Sequence, residues 1–298
     1  MESKSMIGIM GNDFFVKKMV AALSNKIPII FLYASLKDPK FKEKIRDVKI
    51  IHYIGSPTVS FSGVISLIRL KLYGKKIIVH WIGADSWMAT NNFFPNLFTK
   101  LLKNQVSLHV SIEKELSKRI EKIGIDSIIH PLPVATHFQI EPLQTKKQVL
   151  VYAPDITEYY WMRFNGDIIK KIVKEFTDVH FIILRNSGKH FDEPNVECHE
   201  WIEDMKEIYK KITVVVRIST HDGQPGTIIE ALSMGRHFIF SQEFPFCKKA
   251  TNFGEVKSAL QEILDEPKLN IEGSKFVNEE YSIQKIATGL EKIYKNYS

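Results

Sequence analysis

Residues 214–241, VVVRISTHDGQPGTIIEALSMGRHFIFS, decide the fold. The run TVVVRIS (213–219) has strand length and β-branched content, and the loop Asp222-Gly223-Gln224-Pro225 breaks it. Apolar residues at helical spacing follow over 226–234, and HFIFS (237–241) reads as another strand. Strand, loop, helix and strand in that order form a parallel crossover unit, whose strands are buried on both faces and therefore read as unbroken apolar runs.

The same alternation fills the rest of the chain. In the first half MIGIM (6–10), IPIIFLY (27–33), KIIHYI (49–54), KIIVHWI (76–82), VSLHV (106–110) and SIIH (127–130) read as strands, with FFVKKMVAALS, VISLIRLKLYG and EKELSKRIEKIG helical between them. In the second half QVLVYA (148–153) and VHFIILR (179–185) join the two strands above, with helices near 162–176, 203–210, 226–234, 254–265 and 281–297. Pro131, Pro133 and Pro142 punctuate the polar stretch between the halves. An α/β fold of two doubly wound domains, 1–135 and 136–298, is expected.

Composition narrows the function classes. The 298 residues are 44% hydrophobic and 25% charged, as in folded globular chains. No apolar run of membrane-spanning length occurs, and the N-terminus lacks an apolar signal core, so a cytoplasmic protein is expected. Cys198 and Cys247 are too few for a disulfide framework. The net charge of +7 is uneven: residues 1–140 hold 20 Lys and Arg against 10 Asp and Glu, or +10, and residues 141–298 hold 21 against 24, or −3. One half thus suits an anionic partner, unless its lysines are an ordinary solvated surface. The basic residues are spread over several helices without interleaved aromatic strands, which argues against nucleic acid.

Ligands of open α/β sheets bind beyond the carboxyl ends of the strands, so the loops there carry the candidates. Gly11-Asn12-Asp13 is either a simple turn and cap or a close backbone approach to a ligand, but it lacks the further glycines of a dinucleotide fingerprint. His80-Trp81-Ile82-Gly83-Ala84-Asp85-Ser86-Trp87 offers a proton shuttle and flat faces for a sugar, or else a core histidine and buried tryptophans. Gly226 and Thr227 open a helix whose amides and dipole suit a diphosphate, while Asp222 and Glu230 supply acceptors for hydroxyls. Arg217 ends an apolar strand, where a cation needs either a carboxylate or a bound anion.

Taken with its flanks, the segment 214–241 resembles the donor-binding signature of retaining GT-B glycosyltransferases, especially glycosyltransferase family 4, in which an acidic residue and a glutamate eight positions later span loop and helix. Asp222 and Glu230 keep that spacing. The resemblance extends to HWIGADSW, PLPV, PNVECHEWIEDMKEIYKK and the C-terminal EEYSIQKIATGLEKIYKNY. It implies two Rossmann-like domains facing each other across a cleft, the first binding an acceptor and the second a nucleotide sugar, with the C-terminal helix packing back across the domains. It implies that Asp222 binds the transferred sugar, Glu230 the ribose, and the amides of Gly226 and Thr227 the diphosphate. His80 would face the sugar, Gly11 would lie in the loop that closes on the donor, and Trp81, Asp85 and Trp87 would border the acceptor. The PNVECHEWIED region would read the base.

Two departures stand out. Gly-Gln-Pro follows Asp222 where the family has Gly-Phe-Gly, and the diphosphate clamp of an Arg and a Lys five residues on is broken here, since Ile168 follows Arg163. The clamp would be rebuilt from Arg163, Arg217 or Lys189. The implied reaction is metal-independent transfer, with retained configuration, from a UDP-, GDP- or ADP-sugar to a glycan, glycolipid or lipid-linked acceptor. No Asp-x-Asp motif occurs, so neither a divalent metal nor a cofactor is expected. A sugar-nucleotide epimerase on the same fold, or a catalytically silent sugar-nucleotide-binding protein, are the alternatives.

Two further expectations concern helices. Ile283, Ile286, Leu290 and Ile293 have the spacing of one buried face. NNFFPNLFTKLLK (91–103) sets aromatic and leucine side chains beside Lys100 and Lys103, which suits either a core helix or peripheral attachment to an anionic inner membrane face.

Overall fold

The computed structural model describes residues 6–25, 27, 29–32, 40–133 and 135–297. Residues 1–5, Pro28 and Tyr33 of the expected strand 27–33, and Val134 of the PLPV turn lie outside the described residues. Two compact units emerge: Met1–Val134 with Asp222–Gln224 and Tyr281–Ser298, and Ala135–His221 with Pro225–Glu280.

The first unit is built on a parallel sheet of β1 (Met6–Gly11), β2 (Ile29–Phe31), β3 (Val48–Ile54), β4 (Lys76–Trp81), β5 (Leu108–Ser111) and β6 (Ile128–Ile129), in the order β2-β1-β3-β4-β5-β6. Its helices are α1 (Asp13–Leu23), α2 (Phe41–Ile45), α3 (Phe61–Leu72), α4 (Ala84–Asn91), α5 (Phe93–Leu102) and α6 (Lys114–Glu121). With the near-universal right-handed crossover, the β1 to β2 connection runs opposite to all the others, so α1 covers one face of the sheet and α2 to α6 the other. HWIGADSW, expected as a loop, instead opens α4 from Ala84, with Gly83 at φ 131° as its N-cap.

The second unit holds β7 (Gln148–Tyr152), β8 (His180–Leu184), β9 (Val196–His199), β10 (Val214–Arg217), β11 (His237–Phe240) and β12 (Lys248–Lys249), ordered β12-β11-β10-β7-β8-β9 and parallel throughout. The helix expected over 162–176 is two, α7 (Glu158–Arg163) and α8 (Gly166–Glu175), broken where Asn165 takes a left-handed φ of 50°. Gly166 follows because a Cβ there would stand 2.1 Å from the Trp161 ring. Then come α9 (Met205–Lys211), α10 (Gly226–Ser233), α11 (Phe253–Asp265) and α12 (Ile271–Glu280). Arg236 is fully buried and uses its guanidinium as a fork on three carbonyls, Tyr209 (2.7 Å), Glu141 (2.9 Å) and Pro142 (3.2 Å). It thereby ties the end of the polar stretch between the halves to α9.

The last helix, α13 (Ile283–Tyr297), returns to the first unit. Ile286, Leu290, Ile293 and Tyr294 enter its apolar core, whereas Ile283, expected on the same face, is 39% exposed because it opens the helix. The Tyr294 hydroxyl lies 2.6 Å from His52 Nδ1, His52 Nε2 lies 3.1 Å from His80 Nδ1, and His80 Nε2 lies 2.8 Å from the His130 carbonyl. One proton arrangement satisfies all four groups. Tyr294 O–H donates to His52, His52 Nε2–H to His80, and His80 Nε2–H to the carbonyl, which requires both imidazoles to be neutral. Burial holds them so: desolvation first, and the charge of the neighbouring histidines second, lower His52 to about 3 and His80 well below its ordinary value.

Because these folded values are depressed, the unfolded chain binds protons that the native one refuses. The stabilisation is therefore complete above the unfolded value of 6.5 and is lost as the pH falls toward 3. Each such histidine should contribute a slope of about 1.4 kcal/mol per pH unit in that window. Melting followed by circular dichroism from pH 7.5 to 4.5 should fall steadily, and a flat profile would mean that the imidazoles are solvated. Tyr294→Phe should cost about 1–3 kcal/mol at pH 7.5, since it strands a buried acceptor on His52.

Candidate functional site

In the second unit the carboxyl end of β10 and the first turn of α10 gather the groups that could hold a phosphorylated ligand. Pro225 is the N-cap of α10 and lends it no capping side chain. In the first turn Thr227 Oγ1 is buried without a hydrogen-bond partner among the described residues. A buried hydroxyl left so costs roughly 1–3 kcal/mol, and a ligand oxygen would relieve it. The amides of that turn and the positive end of the helix dipole point the same way chemically.

Glu230 follows one turn later on α10 and is buried. Its Oε2 accepts the Tyr209 hydroxyl at 3.0 Å and its Oε1 the Thr136 amide at 3.4 Å. Burial, and then the neighbouring carboxylate, push the Tyr209 phenol well above its ordinary value, so it stays a donor. A carboxylate has about four acceptor sites, which leaves Glu230 capacity for a further pair of hydroxyls.

Two guanidiniums stand close by. Arg217 lies 4.0 Å over the Tyr152 ring and 5.3 Å from the Phe164 ring, and Arg163 lies 5.2 Å from the same Phe164 ring. Both cations therefore flank one buried aromatic. Arg163 Nε also donates to the His221 carbonyl at 3.1 Å, and the Thr220 amide donates to the Arg163 carbonyl at 2.9 Å, which fastens α7 to the loop after β10. Arg217 also depresses the Tyr209 phenol electrostatically, a smaller effect opposing the rise, so Arg217, Tyr209 and Glu230 form one electrostatic group. Lys189 Nζ donates to the Asp155 carbonyl at 2.9 Å, and Ile168 packs on the core. Arg163 and Arg217 are thus the two guanidiniums that flank Phe164.

Sequence reasoning passed over several groups on this rim. Asp155 is buried and accepts the Ser187 amide (3.0 Å) and hydroxyl (2.5 Å), while Asn186 Nδ2 donates to the Ala153 carbonyl (2.6 Å), so the loops after β7 and β8 are sewn together. Arg185, at φ 61°, sits 5.7 Å from the exposed Trp201 ring in the region expected to read the base. Neither group has a sequence signal beyond a polar residue at a strand end. The Tyr209 partner of Glu230 falls within PNVECHEWIEDMKEIYKK, where nothing marks it off from the other helix-face residues of α9.

In the first unit the expected site residues divide. His80 has both ring nitrogens engaged in the buried relay, so the expectation that it faces a sugar gives way to a structural role. Trp81 is wholly buried, with its indole N–H 3.2 Å from His109 Nδ1, and cannot stack on an acceptor. Asp85 is a backbone clamp as well: it accepts the amides of Ser56, Ile82, Gly83 and Ser86 at 2.8 to 3.4 Å. Burial nevertheless raises its carboxyl above the usual range. Trp87, on α4, is only partly buried. Gly11 has φ 118°, and a Cβ there would stand 2.1 Å from the Ile54 carbonyl oxygen, so backbone geometry alone requires it. Asp222 groups with this unit, is buried, and accepts the Gly223 amide at 2.9 Å. A Cβ on Gly223 would meet the Ile82 carbonyl oxygen at 2.4 Å. Among the described residues no group of three or more His, Cys, Asp or Glu side chains is placed to hold a metal ion.

No known protein family matches the sequence, and no curated protein matches it. Solved structures do resemble the fold. Anabaena HepE in complex with UDP-glucose aligns with TM-score 0.70 at 10% identity, over 98% of this chain and 99% of that one. Sucrose-phosphate synthase from Thermosynechococcus elongatus aligns with TM-score 0.71 at 10% identity, over 98% of each chain. A putative UDP-N-acetylglucosamine 2-epimerase from Listeria monocytogenes aligns with TM-score 0.62 at 10% identity, over 99% of this chain and 97% of that one. At these identities the likeness is one of fold, and over nearly the whole chain that fold is GT-B, two Rossmann-like domains each built on a parallel sheet.

Proposed function

We propose that the chain is a glycosyltransferase that moves a sugar from a nucleoside-diphosphate sugar to a hydroxyl of a glycan, glycolipid or lipid-linked saccharide, with retained configuration and without a divalent metal. The observation that carries this reading is the first turn of α10, where Thr227 Oγ1 is buried without a partner among the described residues, beneath a helix start that no side chain caps. The Arg163 and Arg217 pair beside Phe164 adds the charge that a diphosphate needs. The GT-B fold shared with HepE, whose structure holds UDP-glucose, adds to it.

In this reaction Glu230 accepts the ribose hydroxyls, the amides of Gly226 and Thr227 with the Thr227 hydroxyl hold the diphosphate, and Asp222 holds the sugar. The bond from the anomeric carbon to the diphosphate oxygen breaks, and one to the acceptor oxygen forms on the same face. The acceptor proton passes to the departing diphosphate. Catalysis on this account is positioning plus stabilisation of the leaving charge by the two guanidiniums and the helix end. An epimerase is the second reading, favoured by the likeness to the Listeria protein. Incubation with a sugar nucleotide alone separates them, since an epimerised product without acceptor supports the epimerase.

Thermal denaturation against UDP-, GDP- and ADP-sugars should single out one donor, worth about 2.7 kcal/mol at 100 times its dissociation constant. Thr227→Val should leave the melting temperature of the free protein unchanged or higher, because it removes an unpaired buried hydroxyl, yet weaken nucleoside diphosphate binding. Glu230→Gln should weaken that binding by roughly 1.5–3 kcal/mol. Asp222→Asn should depress turnover more than nucleoside diphosphate affinity. Full affinity in both Thr227→Val and Glu230→Gln would remove the nucleotide from this site. Turnover that vanishes on chelation and returns with magnesium would remove the metal-free mechanism.

A further inference from the structure

α3 and α5 both pack on the short turn Pro57–Val59, where the Thr58 hydroxyl lies 2.6 Å from that of Thr99. α3 buries Val64, Leu67 and Leu70, and still presents a second apolar stripe to solvent. Phe61, Ile65, Ile68 and Leu72 recur at helical spacing and are 36 to 79% exposed. α5 does the same with Phe93, Phe94, Leu97 and Leu101, at 40 to 76%, and the only residue it buries is Thr99. As for the two alternatives for α5, only Leu102 packs against the core, and the rest of its apolar side chains are exposed or half-buried. Two helices packed on one turn, each with a bare apolar stripe, exceed the scattered single residues of an ordinary surface.

The stretch that carries both helices is predominantly basic, with Asp47 and Glu113 at its borders. Between residues 48 and 112 there are seven Lys and Arg and a single carboxylate, Asp85, which is buried under four amides. Beside α5 a pocket of about 720 Å³ is lined by Lys100, Arg119 and Lys122 together with Asn91, Asn92 and Asn96, with no carboxylate, and Phe93 stands on it too. Arg119 donates to the Ser86 hydroxyl at 3.0 Å. Glu113, the acid that senses Arg119, is committed to the Glu115 and Leu116 amides at the start of α6.

We propose that the outer surface of the α3–α5 layer docks on an anionic phospholipid bilayer, its apolar stripes entering the headgroup boundary and the Lys100–Arg119–Lys122 pocket receiving a phosphate-bearing headgroup. Apolar side chains flanked by lysines bind the interface through buried area and through attraction to anionic lipid together. This surface is independent of the donor reading, and its test needs no nucleotide sugar, so either can fail alone.

The full chain should be floated with phosphatidylcholine vesicles, with and without phosphatidylglycerol, at low and high salt. Binding should require phosphatidylglycerol and fall with salt. Phe61→Ser with Leu72→Ser, Phe94→Ser with Leu101→Ser, and Lys100→Ser with Lys122→Ser should each reduce the bound fraction about tenfold. All six side chains are exposed, so the melting temperature should hold. Should a serine variant melt early, Lys100→Gln with Lys122→Gln keeps the side-chain bulk and should lose binding equally. No flotation with phosphatidylglycerol at low salt overturns the proposal, as does flotation that all variants retain. Stabilisation by soluble glycerol phosphate without vesicle binding would assign the pocket to a free phosphate ester and also overturn it.

Discussion

The hydrogen bond from Tyr294 to His52 governs how the first unit is closed. Right-handed crossovers leave one face of its sheet covered by α1 alone, and a parallel sheet is stable only when both faces are buried. α13 supplies apolar residues from the far end of the chain, and the Tyr294 hydroxyl docks on a strand residue 242 positions away. Placing histidines in the core would be costly if they ionised. The relay removes that cost by giving each ring one donor and one acceptor, ending on a backbone carbonyl that can only accept. The same constraint withdraws His80 from chemistry, because a base with both nitrogens engaged in the core has no face to offer a substrate.

The second unit handles buried polarity differently. Arg236 stays cationic beneath the surface because three carbonyls receive its fork, and burial lowers it only to about 10. Its anchor on the Tyr209 carbonyl fixes α9 at the residue whose hydroxyl holds Glu230. The Thr136 amide meets the same carboxylate, so the start of this unit and the body of α10 converge on one side chain. Glu230 is thus positioned by the fold before any ligand arrives, which is the preorganisation that a binding carboxylate needs.

The core strands were legible because parallel strands buried on both faces leave apolar runs that polar segments cannot imitate. β9 and β12 were missed for the converse reason. They are sheet edges, and Val196-Glu-Cys-His and the two exposed lysines of β12 carry the polar residues that edges use against unwanted pairing. The division of 162–176 into α7 and α8 turns on the left-handed conformation of Asn165, which no periodicity registers. Asp222 and Glu230 were visible from spacing and resemblance. The structural duties of His80, Trp81 and Asp85 were not, since their partners at His52, His109 and Ser56 are distant in sequence, and polar residues at a strand end look the same whether they face a ligand or a neighbouring strand.

Net charge and the candidate anion site fall in different places, and this separates two kinds of electrostatics. The stretch 141–298 has a net charge of −3, yet it holds Arg163 and Arg217 around Phe164 and the uncapped start of α10. A phosphate there would be held by short-range, partly desolvated groups whose strength comes from low dielectric and fixed geometry rather than from total charge. The stretch 1–140, at +10, carries exposed helical lysines such as Lys17, Lys42, Lys44, Lys100, Lys114 and Lys118, where each charge is screened within about 10 Å and acts only through numbers. Such a field is too diffuse to orient a single diphosphate, but it is the kind that an extended anionic surface can feel, because many weak contacts then add along one face. On the two proposals above, the first kind serves a nucleotide donor and the second an anionic bilayer.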